Sequence, residues 1–480
     1  MHSKRTIHGP RRRSTAFTLL LVAALVAASC GDDDDDAAPG TTAPPGPHES
    51  HECVFRPGEL IAPSDSDEEI TEVFGQFEAK TSLTPEELAG SEFDVGLSLY
   101  RVDPNTDMLE AAADLAASNS ELEFSLNYLT AFSPNWKYAP YNEPEGVSNE
   151  GLEPPELSTD FAVAVLDTGF TDVPGAPAQW APAPGATTEV QRISLPSPPA
   201  SQVSASPGEE VLGGRAAGHG TFIVNVLAQI LPGAPIYAAG IEPRFDGDDA
   251  YLRDDGTAVS VRDDATLVWA LQFLLGQEAV DYINMSFGTY GCASGGDGEP
   301  AYAQPLGLRK AIDLIAQRNE LNERDETEAR AVEVFAASGN DGHRDGDAVF
   351  YPAAWAHEFE WLHSVASVPM GTDDYSNRAS WVELEANGNN VVSMLPETVR
   401  PDPGSTSTST TTGGPVATVT YAAGWYRWSG TSFATPCALA VHASGGTVTP
   451  ASPATTVSGT TRTTTAPPAA STSCGLNMDP

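Results

Sequence analysis

Three short segments of the sequence contain side chains that could act together in nucleophilic catalysis. They are residues 167–169 (Asp-Thr-Gly), residues 218–221 (Gly-His-Gly-Thr) and residues 430–436 (Gly-Thr-Ser-Phe-Ala-Thr-Pro). A serine hydroxyl is a weak nucleophile at its ordinary pKa and needs a neighbouring base. His219 could accept the proton of Ser432 and return it to a leaving amine, while Asp167 holds the imidazole in the required tautomer. The sequence therefore predicts an Asp–His–Ser site for acyl transfer.

Each segment stands at the end of a predicted strand or helix. Asp167 follows an apolar run, whereas His219 and Ser432 each open a helical pattern. Strand and helix patterns alternate throughout residues 155–443, which predicts an α/β fold: a doubly wound parallel sheet with helices on both faces. Ligands of such sheets bind beyond the carboxyl ends of the strands. This region is therefore expected to be the catalytic domain.

Further blocks in the same order make the chain resemble the subtilisin-like serine proteases (subtilases). They are residues 283–288, 336–340, 351–353, 364–368 and 375–382. The resemblance covers roughly residues 155–440. It implies that Asp167, His219 and Ser432 form the catalytic triad and that Asn340 belongs to the oxyanion hole. It also implies substrate-binding roles for Ser286, Phe287, Gly288, Ala337, Ser338, Gly339 and Phe350.

The function implied by this resemblance is a serine endopeptidase that cleaves extracellular polypeptides through an acyl-enzyme. The backbone N–H of Ser432, at a helix start, and the side-chain amide of Asn340 would stabilise the oxyanion. In relatives, the position of Phe350 lines the base of the pocket for the residue before the cleaved bond. A Phe there is expected to fill much of the pocket and favour small or medium apolar residues. The alternative is an outward-facing ring that leaves a deep slot.

The composition limits the classes of partner. Of 480 residues, 66 are acidic and 24 are basic, so the formal net charge is −42. No basic cluster occurs beyond residue 13, which predicts that the chain does not bind nucleic acid. The hydrophobic fraction of 40% is sufficient for a core and excludes a wholly disordered chain. The acidity is interpreted as a solvated or salt-adapted surface, with a preference for cationic substrates as the alternative.

Residues 1–30 have the pattern of an export signal. A basic start is followed by an apolar stretch that ends in Ala27-Ala28-Ser29-Cys30. This ending resembles the lipobox of bacterial lipoproteins, which implies lipidation of Cys30, a lipid-anchored position at the cell surface and no other membrane contact. Secretion of a soluble protein is the alternative. The Asp- and Pro-rich residues 31–52 are expected to form a disordered tether.

Residues 53–135 are predicted to form a small domain. Strand-like alternation at 97–102 and 122–128 flanks a helical pattern, and a second helical pattern spans residues 70–77. This order suggests a ferredoxin-like α+β fold. The family resemblance identifies the domain as a propeptide that inhibits its own enzyme, with self-cleavage between about residue 130 and 155. A permanent accessory domain is the competing interpretation.

The C-terminal residues 444–480 are rich in Thr, Pro and Ala and are expected to form a disordered tail. In relatives, the helix that carries the serine continues further and other elements follow it. The early end at about His442 raises a second hypothesis, a catalytically impaired, lipid-anchored binding module on a subtilisin-like scaffold. Labelling of Ser432 by a fluorophosphonate would separate the two functions.

No cofactor or metal is expected to be required. Calcium is possible, but the loop that relatives insert after the catalytic histidine looks absent, because residues 222–229 continue without interruption to Leu231. Apart from Cys30, four cysteines remain, and they could pair in three ways: Cys53, Cys292, Cys437 and Cys474.

Overall fold

A computed structural model describes most of the predicted domains. The described residues are 55–131, 144–146, 161–173, 190–193, 212–213, 218–241, 251–252, 258–259, 261–277, 280–291, 304–324, 331–342, 349–369, 375–401, 418–451 and 474. The predicted export signal with Cys30, the tether, Cys53, Cys292 and most of the tail lie outside these ranges. No helix within them is long and apolar enough to cross a lipid bilayer.

The N-terminal domain contains four antiparallel strands and two helices. They are β1 (Phe55–Pro63), α1 (Asp67–Phe74), β2 (Ala79–Ser82), β3 (Leu97–Arg101), α2 (Met108–Ser118) and β4 (Ser125–Ala131), and a short 3₁₀-helix spans Glu86–Leu88. The strand order β4-β1-β3-β2 is that of a split β-α-β motif. Helix α1 ends at Phe74 and not at Phe77, because Gly75 follows with φ 74°. Strand β2 had no clear sequence signal.

One core holds this domain together. Leu60 and Tyr100 from the sheet and Ile70, Met108 and Leu115 from the helices belong to one buried cluster. The periodicity of α1 and α2 thus buries one face of each helix against one face of the sheet.

The catalytic domain is built on an eight-stranded sheet. Its strands are β6 (Val163–Asp167), β7 (Val190–Ile193), β9 (Ile236–Gly240), β13 (Tyr282–Met285), β15 (Glu333–Ala337), β17 (Leu362–Ser367), β18 (Leu384–Ala386) and β23 (Thr449–Pro450). The strand order is β23-β18-β17-β15-β13-β6-β9-β7. All neighbours are parallel except β23, which is antiparallel to β18.

Four helices cover the two faces of this sheet. They are α3 (His219–Ile230), α4 (Asp264–Gln277), α5 (Leu306–Arg324) and α6 (Thr431–Ala443). Apolar residues of α3 and α6 share one buried cluster, and those of α4 and α5 share another. The sheet therefore has helices on both faces, which confirms the predicted doubly wound α/β class. Helix α3 continues from His219 to Ile230 without interruption.

Shorter strands connect these layers. They are β5 (Glu145–Gly146), β8 (Leu212–Gly213), β10 (Tyr251–Leu252), β11 (Ala258–Val259), β12 (Val261–Asp263), β14 (Thr289–Tyr290), β16 (Phe350–Tyr351), β19 (Val391–Leu395), β20 (Thr398–Pro401), β21 (Thr418–Tyr421) and β22 (Gly424–Trp428). A second 3₁₀-helix spans Ala353–Glu358. Strand β22 lies between β19 and β5, where the Arg427 guanidinium donates two hydrogen bonds to Glu145.

The N-terminal domain docks on helices α4 and α5. Strand β12 of the catalytic domain pairs with β4 and so extends the N-terminal sheet to five strands. At the start of α4, the N–H of Ala265 donates to Oδ1 of Asn127 at 3.1 Å. At the start of α5, the N–H of Leu306 donates to Oγ of Ser125 at 3.1 Å. Side chains of the N-terminal domain thus satisfy N–H groups that the two helices cannot pair internally.

The chain after α6 is more ordered than its composition suggested. Residues 444–451, which the sequence assigned to a disordered tail, continue into β23 at the edge of the large sheet. Cys437 of α6 forms a disulfide with Cys474, with Cα atoms 5.4 Å apart. This selects one of the pairings that the sequence left open. Composition missed both features because backbone pairing and a cross-link do not require apolar side chains.

Candidate active site

Asp167 is the last residue of a strand buried along its whole length. Its side chain is 1% exposed, at the carboxyl end of β6 in the middle of the sheet. The N–H of Thr168 donates to Asp167 Oδ1 at 2.7 Å, and the Thr168 hydroxyl oxygen accepts from the N–H of Gly220 at 2.9 Å. These bonds join the end of the strand to the first turn of α3.

His219 opens α3 and contacts Asp167 directly. Its Nδ1 lies 2.9 Å from Oδ1 and 3.0 Å from Oδ2 of the carboxylate. A proton on Nδ1 satisfies both oxygens, which leaves Nε2 as the acceptor. A Cβ at position 220 would lie 2.4 Å from the carbonyl oxygen of Gly169, so glycine permits this close approach.

The second nitrogen of His219 is buried and available for a proton. No hydrogen-bond partner for Nε2 is found among the described residues. The imidazole is 0% exposed. The ring of Trp428 meets it edge-on at 5.5 Å, and Phe433 lies at 5.3 Å. An unpaired basic nitrogen beside the serine helix is the arrangement that a general base requires.

Ser432 lies in the first turn of α6 and is 4% exposed. Its hydroxyl donates to the backbone oxygen of Ser286 at 3.2 Å, and the Ser286 hydroxyl donates to the backbone oxygen of Ser432 at 2.8 Å. Asn284 Nδ2 donates to the Ser286 hydroxyl at 2.9 Å. The serine is therefore bonded to the segment after β13 in this conformation, and not to His219.

Asn340 follows β15 and points to the start of α6. Its Oδ1 accepts a hydrogen bond from the backbone N–H of Thr431 at 2.8 Å. Because the oxygen accepts this bond, Nδ2 is the atom with which the Asn340 side chain can donate a hydrogen bond. The N–H groups at the beginning of α6 lie at the positive end of the helix dipole. This side of the site can stabilise negative charge.

The predicted substrate-binding residues border one space. A Cβ at position 288 would lie 2.1 Å from Cε1 of Phe350, and one at position 339 would lie 3.3 Å from Cδ1. The Phe350 ring therefore lies against the backbone of both segments. It is 8% exposed, and Tyr290 packs on it at 4.9 Å. The ring occupies space between these two segments and does not point to solvent.

The other predicted substrate-binding residues are buried beside the same cleft. Ser286, Phe287, Ala337 and Ser338 are each at most 2% exposed. Asn377 holds one wall, since its Nδ2 donates to the backbone oxygen of Ser338 at 2.7 Å. Among the predicted site residues, the structure shows these direct contacts: Asp167 with His219, Ser432 with Ser286, Asn340 with the backbone of Thr431, and Phe350 with Gly288 and Gly339. Cys30 lies outside the described residues.

Trp428 and Asn377 had no role in the sequence interpretation. Asn377 lies in a block that matched the family, so its position was visible but its contact was not. Trp428 precedes the serine motif without any signal of its own, and only the folded chain shows its ring against His219.

The last strand of the N-terminal domain contacts the segment that follows Gly288. The hydroxyl of Thr289, one residue after Gly288, donates to the backbone oxygen of Leu129 in β4 at 2.9 Å. Strands β4 and β14 are therefore in direct contact at the segment predicted to align the substrate.

Comparison with solved structures returns several proteases at low identity. Fervidolysin from Fervidobacterium pennivorans, a keratinolytic enzyme related to subtilisin, is 15% identical, with 82% of this chain and 55% of that chain covered and a TM-score of 0.46. The prenylagaramide maturation protease PagA is 21% identical, with 60% and 75% covered and a TM-score of 0.35. A cold-adapted subtilisin-like serine proteinase is 16% identical, with 60% and 77% covered and a TM-score of 0.33.

No curated protein matches the chain. The sequence profile of the subtilase family matches residues 158–476, which is about two thirds of the chain and includes Asp167, His219, Asn340 and Ser432. With the doubly wound sheet and the bonded Asp167–His219 pair at its carboxyl edge, this match gives the classification. The chain belongs to the subtilase family of serine proteases.

Proposed function

We propose that this protein is an active serine endopeptidase that cleaves exported polypeptides. The observation that carries the proposal is the buried Asp167–His219 pair, whose free Nε2 lies in the site that contains Ser432. In a low-dielectric site, a carboxylate on Nδ1 stabilises the imidazolium that forms when Nε2 accepts a proton.

The reaction requires one change in hydrogen bonding. Ser432 exchanges the Ser286 oxygen for Nε2 of His219, since catalytic hydrogen bonds are often incomplete without substrate. The Ser432 oxygen then attacks the scissile carbonyl while its proton moves to Nε2. The negative carbonyl oxygen is stabilised by the N–H of Ser432 and by Nδ2 of Asn340.

The intermediate then collapses to an acyl-enzyme. The C–N bond breaks and the leaving amine takes the proton from Nε2 of His219. Water enters, loses a proton to the same nitrogen and attacks the ester, and Ser432 regains its proton when the acid product leaves. These steps use the side chains and backbone of the chain and involve no metal or cofactor.

Phe350 supports a preference for small or medium apolar residues before the cleaved bond. Its ring lies between Gly288 and the Ser338-Gly339 turn, where a larger side chain would need the same volume. One methylene group in such a pocket changes discrimination by about 1–3 kcal/mol, so a whole ring sets a strong limit on size.

We further propose that the N-terminal domain is the inhibitor of its own enzyme and is removed by self-cleavage. The contact between Thr289 and Leu129 supports this, because it brings the end of β4 to the cleft. Glu145 is held by Arg427 on strand β22 of the catalytic domain. A cut within residues 132–143 would therefore leave Glu145 with the enzyme.

The proposed location is the cell surface. The support is the sequence alone: the export pattern and the lipobox-like ending at Cys30 predict a lipid anchor followed by a tether. Two or more acyl chains would hold the protein firmly on a membrane, whereas one would not. Self-cleavage within residues 132–143 would separate Cys30 from the enzyme, so the anchor is tested on the uncleaved Ser432→Ala chain. Replacement of Cys30 by Ser in that chain should release it to the medium, and equal membrane fractions with and without the replacement would favour plain secretion.

A fluorophosphonate probe tests the function directly. The purified wild type should be labelled once, at Ser432, and the Ser432→Ala variant should not be labelled. In a protease-free host, wild type should lose residues before about 144 while Ser432→Ala keeps them. If the wild type folds but neither reacts with the probe nor matures, the impaired binding module is the better description. If Ser432→Ala matures to the same size, self-processing is wrong.

A further inference from the structure

A second cluster of polar side chains lies at the opposite end of the large sheet. Glu333 is the first residue of β15, His363 is the second residue of the neighbouring strand β17, and His442 is in the last turn of α6. Because β15 and β17 are parallel, this cluster is at the amino ends of strands, whereas Asp167 is at a carboxyl end. Ten residues of helix, about 15 Å, separate His442 from Ser432.

One potential ligand atom of each of the three side chains lies close to those of the other two. Oε2 of Glu333 lies 2.9 Å from Nε2 of His442 and 3.0 Å from Nε2 of His363. One ligand atom from each residue lies within 4.8 Å of the others. The residues come from three separate elements, so the cluster is produced by the fold and not by a local run of acidic groups.

These distances suit a zinc ion. Zinc binds histidine nitrogen and carboxylate oxygen at about 2.0–2.2 Å, so neighbouring atoms of a tetrahedral site are about 3.3 Å apart. The two measured separations are shorter by only a few tenths of an ångström, and small side-chain movements would admit the ion. Two imidazoles and one carboxylate favour zinc over calcium or magnesium, which prefer sets of oxygen ligands.

The surroundings hold the two imidazoles in place. Nδ1 of His363 lies 3.9 Å from Oε2 of Glu383, and a carboxylate behind a ligating histidine orients the ring and increases its basicity. The Phe335 ring packs against His363 at 4.7 Å and against His442 at 5.4 Å. The side chains of Glu333 and His442 are 27% and 37% exposed, so an ion and a water ligand can enter.

We propose that Glu333, His363 and His442 bind one zinc ion, with water as the fourth ligand. The ion fastens the C-terminal end of the helix that carries Ser432 to the first residues of two central strands. Its role is structural, because it lies about 15 Å along the helix from the nucleophile. It supplies a connection at the last turn of the helix that carries Ser432.

The competing explanation is an ion pair without metal. Burial would lower the pKa of His363, but hydrogen bonds to Glu333 and Glu383 outweigh it and raise that pKa to about 9. A positively charged His363 would then neutralise the Glu333 carboxylate without any metal ion. Both explanations use the same residues, so the test must measure the metal itself.

Binding is measured on the full-length Ser432→Ala chain, because this substitution removes self-cleavage and any dependence on activity. The chain is first treated with a chelator to remove bound metal. Zinc titration by calorimetry should give one site that is weakened at least about 100-fold in His363→Ala and in His442→Ala. Glu383→Gln should weaken it about 10-fold, as expected for a group behind a ligand. His357→Ala is the matched control, since this histidine is 65% exposed on a separate 3₁₀-helix and should bind as the parent does.

Two further readouts separate a metal site from an ion pair. Cobalt should give the visible absorption of a four-coordinate ion in the parent and in His357→Ala, but not in His442→Ala. Zinc should raise the melting temperature of the parent and of His357→Ala, and it should leave the melting temperature of Glu333→Gln unchanged. If zinc binds the ligand variants as tightly as the parent, or does not stabilise the parent, the proposal is overturned. A protein that lacks protease activity but binds zinc as described would refute only the proposed function.

Discussion

The two ends of helix α6 differ in almost every chemical respect. At its start, Ser432 and Asn340 are buried and bonded to the backbone of neighbouring segments. At its end, His442 is partly exposed and bonded to Glu333, while in the middle of the helix Cys437 is cross-linked to Cys474. The first end positions a nucleophile and the charge that develops beside it. The second end contains bonds that hold the helix without touching the cleft, so reaction and attachment are separate tasks in one element.

The largest expected effect is a loss of kcat from a substitution at the catalytic end. Asp167→Asn should lower kcat about 10⁴-fold, because an amide cannot hold His219 in the tautomer that leaves Nε2 free. The melting temperature should change little compared with this loss. Peptide hydrolysis and circular dichroism measure both quantities, and Asp313→Asn on the surface of α5 is the control. A fall in kcat of less than tenfold would contradict the role of Asp167.

The opposite result is expected for the disulfide that holds the middle of the helix. Replacement of Cys437 and Cys474 by Ala opens a loop of 37 residues and should lower the free energy of unfolding by about 3 kcal/mol. The kcat of folded enzyme should stay within twofold of the wild type. Denaturant titration and active-site titration provide the two numbers, and Ser444→Ala, at the C-terminal cap of the same helix, is the control. A large loss of kcat without loss of stability would show that the disulfide is not independent of the catalytic end.

A smaller effect is expected in the pocket beside Ser432. Phe350→Gly removes the ring between the two glycine segments, and so the ratio of kcat/KM for Phe over Ala before the cleaved bond should rise at least about tenfold. A peptide series varied at that position measures the ratio, and Phe359→Ala serves as the control. If the wild type already prefers Phe and the variant keeps that ranking, the ring does not fill the pocket.

The smallest effect concerns α4 and α5, where the N-terminal domain docks. Nε of Arg56 lies 2.7 Å from Oδ2 of Asp263, and although burial alone would raise the pKa of Asp263, Arg56 and Thr266 lower it. Because the pKa of Asp263 is lowered, the contribution of the Arg56–Asp263 pair to the free energy of unfolding is fully present above about pH 4. It is lost as the pH falls through the lowered pKa. Arg56→Gln should therefore cost about 1 kcal/mol near neutral pH and progressively less in acid.

The measurement is the free energy of unfolding of the full-length Ser432→Ala chain, with and without Arg56→Gln, across the pH range. The adjacent Asp264 has the opposite sign, since burial raises its pKa to about 7 despite hydrogen bonds from Gly307 and Leu308. Its contribution therefore decreases as the pH rises from about 4 through 7. The Ser432→Ala chain and its Arg56→Gln variant both retain Asp264, so the effect of Asp264 cancels in the difference between their free energies of unfolding. A difference that does not depend on pH would exclude Asp263 as the partner of Arg56.

The catalytic end of α6 could be predicted from the sequence, whereas the far end could not. Asp167, His219 and Ser432 each stand in a short motif with glycines, because tight approaches such as Gly220 to Gly169 restrict the residue type locally. Glu333, His363 and His442 have no such neighbours and meet only through the register of two strands and the length of a helix.

The same reason explains what was missed elsewhere. Strand β12 completes the sheet of the N-terminal domain from about 130 residues further along the chain, and the pairing of Cys437 with Cys474 joins a helix to a tail of low complexity. Both depend on contacts between distant segments, for which residue patterns contain little information. The ring of Phe350, to which the family resemblance gave a place at the base of a pocket, lies against Gly288 and Gly339, and its effect on specificity stays a prediction.

The short strand β23 has a consequence for solubility. The large parallel sheet would otherwise offer the backbone of β18 as a template on which a second chain could add a strand. Thr449 and Pro450 cover that edge in the antiparallel direction, and proline has no N–H to continue the ladder outward. Loss of these two residues is therefore expected to promote association between molecules before it affects either end of the serine helix.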